Sequence, residues 1–288
     1  MGKINTSYEL HKPEDILIPL VCDVPHAGRI FPDDFNSNIA ENELRKWEDS
    51  YVDELSGHAP NYGSPLLTAN IHRTYIDLNR HVMDIHPDLI QKGLAEIHLN
   101  PTEKTIRTGN GLLKRIGPNG ETMHKKNLNA EDVQHRVKDF YVPYHKCLNE
   151  LISDTKTRFG KVYHLNMHSM FSHSDFWVKG ENGTERADFV LSNNNNATCE
   201  PSFTKFVKDT IENMGYSVAL NDPFLGGEIV CVYGNPEENI HSLQIEIKKS
   251  LYMDQFTLEK HREFKRVHYD ISKLLKAVAW WAGESIGK

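Results

Sequence analysis

The chain's clearest candidates for chemistry are two histidines that each follow an apolar run. His26 sits in Pro25-His26-Ala27-Gly28, directly after the mostly apolar stretch Ile16 to Val24. Proline fixes the backbone and glycine lets it approach closely, as a loop holding a ligand group requires. His168 ends the stretch Lys161 to Met167, and His164, Asn166 and His168 alternate on one face of it. A polar face on a buried strand needs partners, because unpaired burial is costly. One histidine at each of two strand ends fits a split metal site, in which zinc takes two imidazoles and a carboxylate and keeps a position for water. The chain has no HExxH, so its ligands would be dispersed. Asp49 or Asp53 could supply the carboxylate. On a helical wheel Asp49 lies nearer the apolar stripe and Asp53 almost opposite it.

Two further groups could act beside such a site. The segment HRTYIDLNR holds Arg73, Asp77, Asn79 and Arg80 after a second apolar run. Paired arginines grip carboxylates through a planar fork of donors, Asn79 would add an amide donor, and Asp77 would brace an arginine. Surface salt bridges are the plainer reading of the same residues. Glu246 stands between Ile245 and Ile247 in LQIEI. A carboxylate inside a buried strand is rare unless it is paired or functional. Burial would raise its pKa and suit it to moving a proton from a metal-activated water to a leaving nitrogen. A salt bridge to Lys248 or to an arginine is the alternative. Gly226-Gly227 marks a close-approach loop, and the run Asn193 to Asn196 reads as a short solvated loop. Neither GxxxxGK[ST] nor a helix-opening GxGxxG is present.

The elements that would position these groups alternate between strands and helices. Apolar runs predict strands at Ile16 to Val24, Leu66 to Ile71, Lys161 to Met167, Tyr216 to Leu220 and Leu243 to Ile247. Helical spacing predicts helices over Ile39 to Ala59, Asn129 to Phe159, Phe203 to Met214 and Thr257 to Ala282. Asn129 is the expected cap of the second, and Pro143 should kink or split it. This order predicts an α/β fold, a three-layer α/β/α sandwich with a mixed central sheet. Ligand sites of such sheets lie at the carboxyl ends of strands, where the candidate residues fall. Residues 84–130 form a long, glycine-punctuated excursion, with a hairpin expected at Pro118-Asn119-Gly120.

The whole chain narrows the field. Its 288 residues can build one large core, so a single domain over 1–288 is expected. A net charge of -7 and only short basic runs argue against a nucleic-acid partner. The four cysteines form no CxxC, which excludes a zinc ribbon or a redox dithiol. The first residues lack the apolar stretch of a secretory signal, and no run reaches the roughly 18 apolar residues of a membrane span. A cytoplasmic protein with reduced thiols and no membrane partner is the expectation. Composition leaves the oligomeric state open.

Taken together, PHAG at 25–28, DSYVDEL at 49–55, RTYIDLNR at 73–80, PYH at 143–145, HSM at 168–170, GYSVALNDPFLGG at 215–227 and LQIEIKKSLYMD at 243–254 resemble the N-formylglutamate amidohydrolase family. They occur in family order over nearly the full length. The resemblance implies a phosphorylase/hydrolase-like fold, similar to the zinc carboxypeptidases and aspartoacylases. It implies zinc held by His26, Asp49 and His168, and a substrate carboxylate and carbonyl bound by Arg73, Asn79 and Arg80, with Arg80 also serving the catalytic step. Glu246 corresponds to the general base. The implied reaction is hydrolysis of a small acidic acyl-amino acid, N-formyl-L-glutamate being the nearest substrate. A related metallo-amidase or carboxypeptidase acting on a peptide-like or cell-wall fragment is the second reading, and a non-catalytic binding homologue the third. Three places depart from the family pattern, one being His72, which precedes Arg73 in place of a more ordinary small residue. Asn166 replaces an Asp two residues before the His-Ser pair, and an amide cannot raise an imidazole's basicity as a carboxylate can. SNNNNATC replaces a glycine-rich stretch before Cys199.

Overall fold

Four apolar runs become the buried strands that the sequence predicts, and a computed structural model describes their setting for residues 7–15, 18–91, 98–117, 120–174 and 183–286. In chain order the elements are β1 (Tyr8–His11), β2 (Leu20–Val24), α1 (Glu41–Leu44), α2 (Val52–Leu55), β3 (Leu66–Ala69), α3 (Glu103–Thr108), α4 (Ala130–Arg136), α5 (Val142–Phe159), β4 (Val162–Met170), β5 (Phe189–Ser192), α6 (Pro201–Asn213), β6 (Val218–Leu220), α7 (Glu228–Tyr233), β7 (Ile240–Lys248) and α8 (Phe264–Glu284). The strands form one seven-stranded sheet in the order β1-β3-β2-β4-β7-β5-β6. β2 pairs in parallel with β3 and β4, β4 with β7, and β5 with β6, whereas β5 runs antiparallel to β7. The α/β fold with a mixed sheet and helices on both sides is therefore as expected.

All residues of β2 and β4 are buried. That explains their near-continuous apolar character, since a central parallel strand is covered on both faces. The antiparallel strand β5 and the edge strand β1 were not legible as strands. β5 is only four residues long and lies between a polar turn and the asparagine run.

Two helix expectations, at 39–59 and at the start of the terminal helix, are corrected, and the expected splitting of the helix over 129–159 is found. Residues 39–59 do not form one helix: α1 gives way to a 3-10 turn at Arg45–Trp47, Glu48 is extended, and Tyr51 is left-handed at φ 66° before α2. Apolar spacing at helical period cannot reveal such breaks. The helix of 129–159 is split into α4 and α5 by a π-helical turn, Val137–Tyr141. Pro143 accounts for it, because its ring and missing N–H cannot continue regular helical bonding from the preceding turn. Asn129 does cap α4: its Oδ1 accepts from Asp132 N at 2.8 Å, and Asp132 Oδ2 accepts from Asn129 N at 2.9 Å. The terminal helix begins at Phe264, not Thr257, because Leu258 adopts a left-handed φ of 63°.

The chain is organised in two compact units. One comprises Met1–Glu9, Pro25–Glu48 and Ala69–Cys147; the other comprises Leu10–Val24, Asp49–Thr68 and Leu148–Lys288. The first contains the excursion at 84–130, which is tied down by Asp84. Its Oδ1 accepts from Thr102 N at 2.7 Å and its Oδ2 from Thr105 Oγ1 at 2.8 Å. Pro118 and Asn119 of the expected hairpin lie outside the described residues; Ile116 and Thr122 on either side form an antiparallel bridge. In the second unit, Asn194, Asn195 and Asn196 all take left-handed φ values. Asparagine tolerates that region better than other residues with a side chain, so the run does conformational work usually left to glycine. Asn193 closes the loop by accepting from Asn196 N at 2.9 Å.

Candidate functional site

In the second unit, β4 and β7 bring two candidates side by side. His168 and Glu246 are register partners on these parallel strands, so their side chains leave the same face. Both are buried, at 2% and 8% exposure. Asp49 arrives from the irregular segment before α2, and its Oδ2 lies 3.0 Å from His168 Nδ1. The break in the predicted helix is what frees this residue from a helical surface. Asp49 is buried, whereas Asp53, on α2, is half-buried. The other ring nitrogen, His168 Nε2, lies 2.7 Å from Asn166 Oδ1.

Glu246 is held by its own strand and by the glycine loop. Gln244 Nε2 donates to Glu246 Oε1 at 2.8 Å, and Gln244 Oε1 accepts from Gly227 N at 2.7 Å. The backbone donor at Gly227 fixes which end of the amide faces the carboxylate. Lys248, the alternative partner for Glu246, bonds elsewhere: its Nζ lies 2.8 Å from Asp188 Oδ1 and 3.3 Å from Glu185 Oε1.

In the first unit, His26 is organised around Asp77. His26 Nε2 and Asp77 Oδ1 are 2.7 Å apart, Arg73 Nη2 donates to Asp77 Oδ2 at 3.0 Å, and Lys114 Nζ lies 3.5 Å from the same oxygen. Burial alone would raise the Asp77 carboxyl, but His26, Arg73 and Lys114 together hold it well below the usual carboxylate range. Burial pushes the Lys114 ammonium down to about 7 against the pull of Asp77, with Arg73 and Arg80 adding to the fall. The Pro-His-Ala-Gly turn has a steric reason as well. A Cβ at Gly28 would sit 2.1 Å from Ile71 O, so only glycine lets this loop pass the segment leading to Arg73.

The other arginine-segment residues are placed separately. Asn79 is buried, and its N–H donates to Asp77 Oδ1 at 3.0 Å. Arg80 does not join Arg73 in one fork: its Nε donates to Asn110 O at 3.2 Å and its Nη1 to Asn79 O at 2.9 Å. Sequence reasoning took Asp77 as a brace for arginine and missed its bond to His26. It missed Lys114 altogether, since a lysine in a charged excursion carries no sign of burial. Among the described residues, one group of His, Cys, Asp and Glu side chains could hold a metal ion. It consists of His26, Asp49 and His168, whose ligand atoms all lie within 4.8 Å of one another.

Known proteins resemble this chain over most of its length. The model of the N-formylglutamate amidohydrolase family matches residues 18–253. An N-formylglutamate deformylase of Pseudomonas putida is 28% identical over 276 residues, covering 93% of this chain and 94% of the relative. One from Pseudomonas aeruginosa is 26% identical over 274 residues, covering 93% and 95%. The crystal structure of an N-formylglutamate amidohydrolase from Ralstonia eutropha JMP134 superposes with a TM-score of 0.93 at 37% identity, covering 98% of this chain and all of that one. A gene product of Agrobacterium tumefaciens, 15% identical with a TM-score of 0.68, covers 98% and 96% and shares the fold. The chain belongs to the N-formylglutamate amidohydrolase family and is an amidohydrolase of carbon–nitrogen bonds other than peptide bonds.

Proposed function

We propose that the chain hydrolyses N-formyl-L-glutamate to formate and L-glutamate, using one zinc ion held by His26, Asp49 and His168. The buried cluster of these three residues carries the proposal. Two imidazoles and one carboxylate are a donor set that catalytic zinc uses. The surroundings fit as well, because each imidazole has its Nε2 engaged by an oxygen, Asp77 Oδ1 for His26 and Asn166 Oδ1 for His168. Such hydrogen bonds behind a ligand hold its ring and select the coordinating nitrogen. Zinc bound there would polarise the formyl carbonyl and lower the pKa of a water molecule.

The protein's own residues supply the rest. Glu246, with Oε1 held by Gln244, takes the proton of the attacking water. It then gives that proton to the leaving nitrogen, which cannot depart as an anion. Arg73, oriented by Asp77, and Arg80, anchored to backbone carbonyls, bind the carboxylates of the substrate, and Asn79 adds an amide contact. Arg80 also stabilises charge that develops on the reacting carbonyl. The substrate is thus a small acidic acyl-amino acid. We place the reaction in the cytoplasm, in keeping with Cys22, Cys147, Cys199 and Cys231 standing outside any disulfide. No described helix is long and apolar enough to cross a membrane.

Formate release from N-formyl-L-glutamate, N-formyl-L-glutamine and N-formyl-L-leucine tests the reading, with glutamate release from N-acetyl-L-glutamate as the acyl control. The formyl substrate with the acidic side chain should be turned over far faster than the two with neutral side chains. Equal rates on all three formyl compounds would remove the acidic substrate from the proposal.

A further inference from the structure

Behind His168 runs a file of buried polar side chains that the reaction itself does not use. Asp23 on β2, His164 and Asn166 on β4 and Ser242 on β7 are all fully buried. Strand register sets them beside one another, Asp23 opposite Asn166 and His164 opposite Ser242. Asp23 Oδ1 accepts from Asn166 Nδ2 at 2.7 Å and lies 2.9 Å from His164 Nε2. His164 Nδ1 lies 2.7 Å from Ser242 Oγ.

These contacts determine the protons one by one. A carboxylate has only acceptors, so the edge of Asn166 that faces Asp23 must be its NH2 group. The opposite edge, Oδ1, then faces His168 Nε2 at 2.7 Å and can only accept. His168 must therefore carry its proton on Nε2. In the neutral ring the lone pair is then on Nδ1, the nitrogen 3.0 Å from Asp49 Oδ2. A lone pair and a carboxylate at that distance repel unless a proton or a cation lies between them. His26 is arranged differently, since a carboxylate, Asp77, contacts its Nε2 directly.

We propose that Asp23 is a positioning residue for the metal centre: it orients the amide of Asn166 and thereby selects Nδ1 of His168 as the coordinating nitrogen. The proposal rests on the metal reading above. In it, Asn166 is the relay through which a carboxylate one residue further away sets the tautomer. His164 and Ser242 hold Asp23 in turn, and because His164 can donate to Asp23, the carboxylate stays aligned with the amide.

Exchanging the two groups tests this. In Asp23→Asn the amide of Asn166 loses the partner that dictates its orientation. In the double variant Asp23→Asn/Asn166→Asp, the amide at 23 donates to the carboxylate at 166, whose other oxygen accepts from His168 Nε2. Two readouts are taken: ¹⁵N shifts of the His168 ring in metal-free protein above the imidazole titration range, and zinc affinity by competition with a chelator. Wild type should show the Nε2–H tautomer. Asp23→Asn should show a mixture or the Nδ1–H form, with zinc affinity lower by about 10–100-fold. The double variant should regain the Nε2–H form and an affinity at or above wild type, and it alone carries the test where the single variant does not fold. An Asp23→Asn protein with the wild-type tautomer and affinity would overturn the proposal, as would a double variant without the Nε2–H form. The ring shifts are read without metal. A wild type that fails to bind zinc therefore defeats the metal reading, while a tautomer change in Asp23→Asn still upholds the role of Asp23.

Discussion

His168 on β4 and Glu246 on β7 are register partners on adjacent parallel strands, so a candidate metal ligand and a candidate proton carrier share one face of the sheet. The first prediction follows from that placement. Glu246→Gln keeps size and hydrogen bonding but removes the titrating group. It should lower kcat by about 10²–10⁴-fold, with zinc content and circular dichroism unchanged. Near-normal turnover in the zinc-loaded variant would make Glu246 a structural partner of Gln244.

Arg73 faces Asp77 through one guanidinium nitrogen, and its planar fork is what a lysine cannot reproduce. Arg73→Lys and Arg80→Lys should each reduce kcat/KM for N-formyl-L-glutamate much more than for N-formyl-L-glutaminamide, in which both carboxylates are replaced by amides. Parallel losses on both substrates would assign the arginine to the fold.

The choice of carboxylate is open to a direct comparison. Asp49 contacts His168, whereas Asp53 is half-buried on α2. Asp49→Ala should remove most bound zinc, and Asp53→Ala should retain it. Metal analysis giving the reverse pattern would transfer the ligand role to Asp53.

His124 supplies a pH prediction for stability. Burial first, and then the nearby charge of Arg136, push its imidazole down to about 4 from an ordinary 6.5. Between these values the unfolded chain binds a proton that the folded chain does not. Folding stability must therefore fall as pH drops through this window, by up to about 3 kcal/mol at its lower end. His124→Gln should show a shallower decline in denaturation midpoint from pH 6.5 to 4. An unchanged slope would mean that His124 is protonated in the folded protein.

Much of the sheet was legible because central strands are covered on both faces and read as apolar runs, as in the buried segments of β2, β4 and β7. The same rule led to His26 and His168, since polar residues at the ends of such runs need a reason to be there. The breaks around Asp49 were not legible. Leu44, Tyr51, Val52 and Leu55 keep helical spacing across a segment that is extended at Glu48 and left-handed at Tyr51. Tertiary packing outweighs local periodicity there. Hydrogen-bond partners distant in sequence were equally hidden, as for Asp77 behind His26 and Asp23 behind Asn166. Nothing local names these partners, although Asp23, like Glu246, stands inside an apolar run. Asn166 shows the same limit. As a residue type it is a weaker support for an imidazole than a carboxylate, and only the structure reveals the carboxylate that orients it.

The central claim is that His26, Asp49 and His168 hold one metal ion on which formyl-amide hydrolysis depends. The most direct measurement is formate release from N-formyl-L-glutamate by chelator-stripped protein as zinc is added back. Activity should be lost on stripping and should return in proportion to zinc, saturating at one ion per chain, and zinc should restore none of it in His168→Ala. Full formate release by protein shown to contain no metal would contradict the account.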